Sequence, residues 1–121
     1  MSITRMLALI IGAFLLIEGI WGEFSDVVFG VLTTNRVRAS IHIVLGLIGV
    51  FAALKGGARM FLKFGGLISA LVGLLWYLPP TNSLMVNILA VNQPVATLNI
   101  IVGGIAMLVG FLSKPSGDLG D

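Results

Sequence analysis

Residues 64–113 read FGGLISALVGLLWYLPPTNSLMVNILAVNQPVATLNIIVGGIAMLVGFLS, a stretch without one Asp, Glu, Lys, Arg or His. Soluble domains carry roughly a quarter charged residues, so a run of this length has no means of covering itself in water. It is too long for one membrane span of about 20 residues and fits two with a link between them. The rest of the 121-residue chain has the same character: 58% hydrophobic and 10% charged overall, with mean hydropathy +1.12. Backbone groups in lipid must bond within the protein, and the apolar runs are continuous, without the alternation of a barrel strand. The expectation is an all-α integral membrane protein forming one domain over residues 1–121.

Four spans follow: about Thr4 to Gly22, Arg36 to Leu54, Arg59 to Leu78, and Gln93 to Leu112. Arg5 before the apolar run Met6 to Ile17 imitates a signal peptide, but Glu18 and Trp21 follow the run and no small-residue cleavage site is present. The run is read as a retained first span. Arg5, Lys55, Arg59, Lys63 and Lys114 fall on one side of a four-span path, Arg36 and Arg38 on the other with Glu23 and Asp26. The bias places both termini in the cytoplasm, in a bacterial cytoplasmic or thylakoid-type membrane. Trp21, Trp76 and Tyr77 then sit at outer span ends, where aromatic belts form. The tail SKPSGDLGD, 113–121, reads as a loose polar end.

The inner link LKGGARM is short enough for a tight helical hairpin. The outer links SDVVFGVLTTN and NSLMVNILAVN are longer, apolar, and each opens on a residue suited to a helix N-cap. Both are expected to be short helices lying in the outer interface.

The two outer links begin related segments. SDVVFGVLTTNRVRASIHIVLGLIGVFAAL aligns with NSLMVNILAVNQPVATLNIIVGGIAMLVGF, setting Asn35 on Asn92, Ser40 on Thr97, His42 on Asn99 and Gly46 on Gly103, at a constant offset of 57 (92 − 35, 99 − 42). In the preceding spans Gly12 falls on Gly66 and Gly19 on Gly73, an offset of 54 (73 − 19). The chain therefore reads as a four-transmembrane-helix bundle of two parallel two-helix repeats, about 5–54 and 59–112, related by an axis along the membrane normal.

The repeated Asn-x6-(His/Asn)-x3-Gly spacing, in NRVRASIHIVLG and NQPVATLNIIVG, and the glycine-spaced first and third spans resemble a family of small four-span bacterial and archaeal membrane proteins, domain of unknown function 4383. The resemblance runs from about Met6 to Phe111. It implies membrane topology and no established chemistry. It also implies a histidine at both repeat positions, whereas the second copy here has Asn99.

His42 is the single histidine, about six residues, or roughly 9 Å, into its span. His42, Gly46, Gly49 and Ala53 share a helix face, and Asn99, Gly103, Ala106 and Gly110 repeat it. Small residues on such a stripe let helices approach closely, with polar groups bonding across the contact. Gly12, Gly19, Gly66 and Gly73 are the matching packing positions on spans one and three. A polar clasp is the plain reading of His42. A proton relay, or a role as metal, haem or pigment ligand, is the sharper one, because intramembrane ionisable residues are functional hypotheses by default. Asparagine in the second copy hydrogen-bonds and does not titrate, which favours the clasp, and no cofactor is predicted. Glu18 has a depth close to that of His42, so the two are expected to pair. The alternative is that Glu18 reaches outer interfacial water beside Glu23. Glu18, Ser40, His42, Thr97 and Asn99 make the candidate polar cluster. Asn35 and Asn92 are read as N-caps, and Arg36 and Arg38 as rim anchors.

The absence of cysteine excludes disulfide and thiolate chemistry, and a net charge of +2 gives no nucleic-acid patch. No phosphate loop, HExxH or nucleophile elbow is present, and no enzyme activity is expected. An acid/base enzyme built on Glu18 and His42 would lack helpers. The remaining readings are a structural or accessory subunit, packing in a larger membrane complex (a photosynthetic or respiratory one included) or against copies of itself, and a small oligomeric transporter or channel with an outward-facing polar pocket.

Overall fold

A computed structural model describes residues 1–113; Lys114 and the rest of the tail lie outside the described residues. Among the described residues the fold is 78% helical, with five helices. In chain order the elements are α1 (Ile3–Gly22), a two-stranded hairpin of β1 (Val27–Val28) and β2 (Leu32–Thr33), α2 (Arg36–Lys55), α3 (Ala58–Trp76), α4 (Thr81–Leu89) and α5 (Gln93–Leu112). α1, α2, α3 and α5 are long and apolar enough to cross a membrane.

Each long helix starts for a local reason. Ser2 accepts from Arg5 N at 3.3 Å, Asn35 from Arg38 N at 2.9 Å and Asn92 from Val95 N at 3.0 Å. Each bond satisfies a backbone donor that has no partner within its helix. Between α2 and α3 the chain turns through Gly56 and Gly57 at φ 122° and 101°, which a side chain would oppose. Within α3, Phe61–Gly65 forms a π turn, an irregularity that apolar periodicity did not predict.

The first outer link departs from expectation. It is an antiparallel hairpin, Val27 opposite Thr33 and Val28 opposite Leu32, not an interfacial helix. Val27, Val28, Val31, Thr33 and Thr34 are β-branched and fit a pleated strand better than a helix. Phe29 and Gly30 close the turn at φ 52° and 77°. The second link is helical, as α4, but Asn82 does not cap it. Its amide donates back to Trp76 O at 2.6 Å, while Thr81 Oγ1 donates to Leu75 O at 2.8 Å.

α1 packs chiefly on α2, and α3 on α5. Both contacts are made by small residues. A methyl group at Gly12 would lie 2.7 Å from Val50 N, and one at Gly66 2.7 Å from Met107 N. One at Gly46 would lie 2.8 Å from Gly12 O, and one at Gly103 2.6 Å from Gly66 O. The backbones touch, so these helices are joined by dispersion over a close seam instead of by interdigitated large side chains. All eight glycines of the packing stripes are buried. Large apolar residues such as Ile10, Val44, Phe51, Ile68, Ile101 and Leu108 face outward, the reverse of a water-soluble core.

Two small clusters join the helical pairs. At one end Ala8, Ala53 and Ala58 pack with Leu62 and Ala106. At the other, Val28 and Leu32 of the hairpin pack with Val91, Val95 and Ala96.

Candidate functional site

The site forms where α1 and α2 run side by side. Gly19 is the reason the helices come so near there: a methyl group on it would sit 2.8 Å from Ala39 O. Glu18, its neighbour in α1, is thereby carried into the seam, where its side chain is 2% exposed. Arg38 and His42, one turn apart on α2, reach it from the other side. Arg38 Nη2 donates to Glu18 Oε1 at 3.2 Å, and His42 Nδ1 lies 2.6 Å from the same oxygen. The other terminal nitrogen of Arg38, Nη1, donates to Thr33 O. Arg38 is 4% exposed and His42 14%.

The charges in this cluster are matched. A guanidinium donates only, so Glu18 Oε1 accepts from Arg38. An ionised Glu18 requires His42 to present an N–H at Nδ1, and a neutral ring with that tautomer keeps Nε2 as an acceptor. An isolated carboxylate at this depth would carry a large desolvation cost, which the paired guanidinium and the added hydrogen bond offset.

Sequence reasoning missed Arg38. It was read as a rim anchor, yet it is among the most buried polar residues described. A signal existed: the stripe His42, Gly46, Gly49, extended back by one turn, arrives at Arg38. The competing reading of Glu18 is corrected too, because Glu18 does not reach water beside Glu23. Glu23 instead accepts from Ser40 Oγ at 2.7 Å, on the exposed surface.

The wider cluster is not brought together. Ser40 belongs to that surface pair. Thr97 is exposed and bonds Tyr77 Oη at 3.2 Å. Asn99 side-chain atoms make no hydrogen bond among the described residues; its backbone oxygen accepts from Ser69 Oγ at 3.3 Å. The residues matching Glu18 and Arg38 in the second half are Val72 and Val95, and they pack in one apolar cluster. The α3–α5 seam thus has valines at the aligned positions where the α1–α2 seam has an ion pair.

The capping asparagines do more than cap. Asn35 Nδ2 donates to Ile88 O at 2.9 Å, and Asn92 Nδ2 to Val31 O at 3.0 Å. Thr33 Oγ1 also crosses, donating to Ala90 O at 2.6 Å. Arg38, through Thr33, is therefore tied to the segment that leads into α5.

Among the described residues no group of three or more His, Cys, Asp or Glu side chains is placed to hold a metal ion. Glu18 and His42 offer a pair at most, and that pair is already engaged with Arg38. No known family model, no curated protein and no solved structure matches this chain.

Proposed function

We propose that the protein is a small four-span membrane scaffold, a structural or accessory subunit that packs against a larger membrane assembly or against copies of itself. One observation carries this reading: the buried outer polar groups end on partners within the chain. Glu18 is consumed by Arg38 and His42, and Arg38 by Glu18 and Thr33. Such a cluster fastens helices and leaves no polar path for a solute, while the apolar exterior is left for lipid or protein.

The architecture in this proposal is a two-repeat bundle about an axis along the membrane normal, with both termini cytoplasmic in a bacterial inner membrane. Several contacts support the repeat. Gly12 abuts Val50 and Gly66 abuts Met107; Gly19 abuts Ile43 and Gly73 abuts Ile100. Each pair maps onto the other by the offsets read from sequence, 54 in the first helix and 57 in the second. The asparagine bonds are reciprocal: Asn35 meets Ile88, Asn92 meets Val31, and both pairs exchange under the 57-residue offset. A two-fold relation produces such an exchange. The likeness to the four-span family rests on the same paired spacing and adds topology only.

Purification from native membranes in mild detergent tests the scaffold reading. The expected result is a stoichiometric membrane-protein partner or a homo-oligomer. Solute or ion flux by the pure protein in liposomes, abolished by Glu18→Gln, would overturn it in favour of an oligomeric transporter or channel.

A further inference from the structure

We infer that the tip of the β1–β2 hairpin is seated within the outer leaflet, its free face against lipid acyl chains and not against water or a protein partner. The inference rests on the membrane reading above and goes beyond it, because the tip lies below the end of the helix that precedes it. Three rings set its level. The Phe29 ring centroid is 5.6 Å from that of Phe14 and 5.0 Å from that of Trp21. Phe14 and Trp21 share a face of α1 and are separated by a rise of about 10.5 Å. The Phe29 ring therefore lies between them, near the level of Glu18 and roughly 6 Å inside the end of α1 at Gly22. The protein-facing side agrees. Val28 and Leu32 are buried with Val95 and Ala96, in the first turn of α5, and Phe14 and Val72 pack on the same cluster. The base of the hairpin is its polar end: Thr34 N donates to Asp26 O at 2.9 Å, and Asp26 is exposed. The chain thus leaves α1, holds its charge at the base, and turns back so that the tip descends beside α1.

The hairpin's backbone is fitted to that depth. Hydrocarbon does not tolerate an open sheet edge, because no water is there to satisfy it. Here Val27 O accepts from Ser25 Oγ at 2.7 Å, Val31 O from Asn92 Nδ2 at 3.0 Å, and Thr33 O from Arg38 Nη1. The same bonds occupy carbonyls that a partner strand would need for pairing. The surface left over is apolar: Val27, Phe29 and Val31 are exposed, beside the equally exposed Ile17 and Trp21 of α1. Residues 27–35 carry no charge, so the tip offers a water-soluble partner no ion pair. An uncharged apolar face, continuous with the lipid-facing side of α1 and below its end, matches acyl chains.

Fluorescence quenching of the purified full chain in phosphatidylcholine liposomes tests this. The chain has no cysteine, so Val27→Cys, Val31→Cys, Ile17→Cys and Asp26→Cys each carry a single bimane label. Labels at Val27 and Val31 are expected to lose as much emission to acyl-brominated phosphatidylcholine as the label at Ile17, on α1 itself. They are expected to lose as little as that label to iodide present on both sides of the bilayer. The label at Asp26 is expected to show the opposite pattern. Iodide quenching at Val27 and Val31 as strong as at Asp26 would overturn the assignment. So would labels that neither quencher reaches, since a second copy of the chain would then cover the tip. Both valines are exposed, so either variant serves if the other does not fold. Iodide quenching of the Ile17 label would instead defeat the membrane reading itself, separately from the hairpin result.

Discussion

Breaking the Glu18–Arg38 pair from one side should cost far more than removing it whole. At 3.2 Å and an effective dielectric of about 20, the Coulomb attraction is about 5 kcal/mol. Glu18→Val leaves the guanidinium buried with only Thr33 O as partner, and Arg38→Met leaves the carboxylate with only His42. Each single variant is expected to lose about 3–5 kcal/mol, the usual result of stranding a buried charge. The double variant Glu18→Val/Arg38→Met recreates the apolar seam seen at Val72 and Val95, and should stand within about 1 kcal/mol of the parent, since apolar replacement of a whole buried pair is often neutral. The bonds to Thr33 and His42 are lost equally with and without the other substitution, so they cancel in the cycle. Reversible unfolding in mixed detergent micelles, followed by circular dichroism, gives all four stabilities. A double variant as unstable as the sum of the singles would refute the coupling, and singles within about 0.5 kcal/mol of the parent would show that the carboxylate is not held as described.

Adjacent glycines provide a second test by the same assay. Gly103→Ala would put a methyl group 2.6 Å from Gly66 O, whereas nothing lies within 4 Å of one at Gly104; the former should destabilise by about 1–3 kcal/mol and the latter stabilise by up to about 1 kcal/mol. Asn35→Ala and Asn92→Ala should each cost about 1–2 kcal/mol for the cap plus the crossing bond, and their near equality would be lost if the two halves were not equivalent there. The chain has no cysteine, so single cysteines at Lys55 and Ser83 report sidedness: an impermeant maleimide on intact cells should label the Ser83 position and not the Lys55 position, and the opposite pattern would invert the proposed orientation.

What sequence revealed tracks how each feature is encoded. The long helices were legible to within about two residues, because span length and hydropathy are set by the solvent the chain occupies. α5 begins at Gln93 and ends at Leu112, as read, since an asparagine cap and Pro94 mark its start. The glycine stripes were legible because close helix contacts admit few residue types. The hairpin at Val27–Thr33 was not, because the apolar content of that link was given more weight than its β-branched residues. The π turn at Phe61–Gly65 left no mark in composition. Arg38 escaped because a charge near a span end ordinarily reaches for the interface, and only the carboxylate contributed by α1 turns it inward. Ser40, Thr97 and Asn99 were grouped by depth alone, and depth says nothing about which side of a helix a residue occupies.

Glu18, Arg38 and His42 all belong to the first helical pair, and for the membrane-spanning chain proposed above this bears on insertion. Chains fold from the N-terminal end as they are made. A lone charged residue is opposed by about 2.5–3.5 kcal/mol at the centre of an inserting helix on insertion scales, and by less near a helix end, where Glu18 and Arg38 lie. Here the carboxylate and its guanidinium are complete once α2 has emerged, before any of α3 has been synthesised. The first pair can therefore cross into lipid as an electrically balanced hairpin, with no help from the second. The second pair, with valines at the matching places, meets no such barrier and is free to dock whenever it arrives.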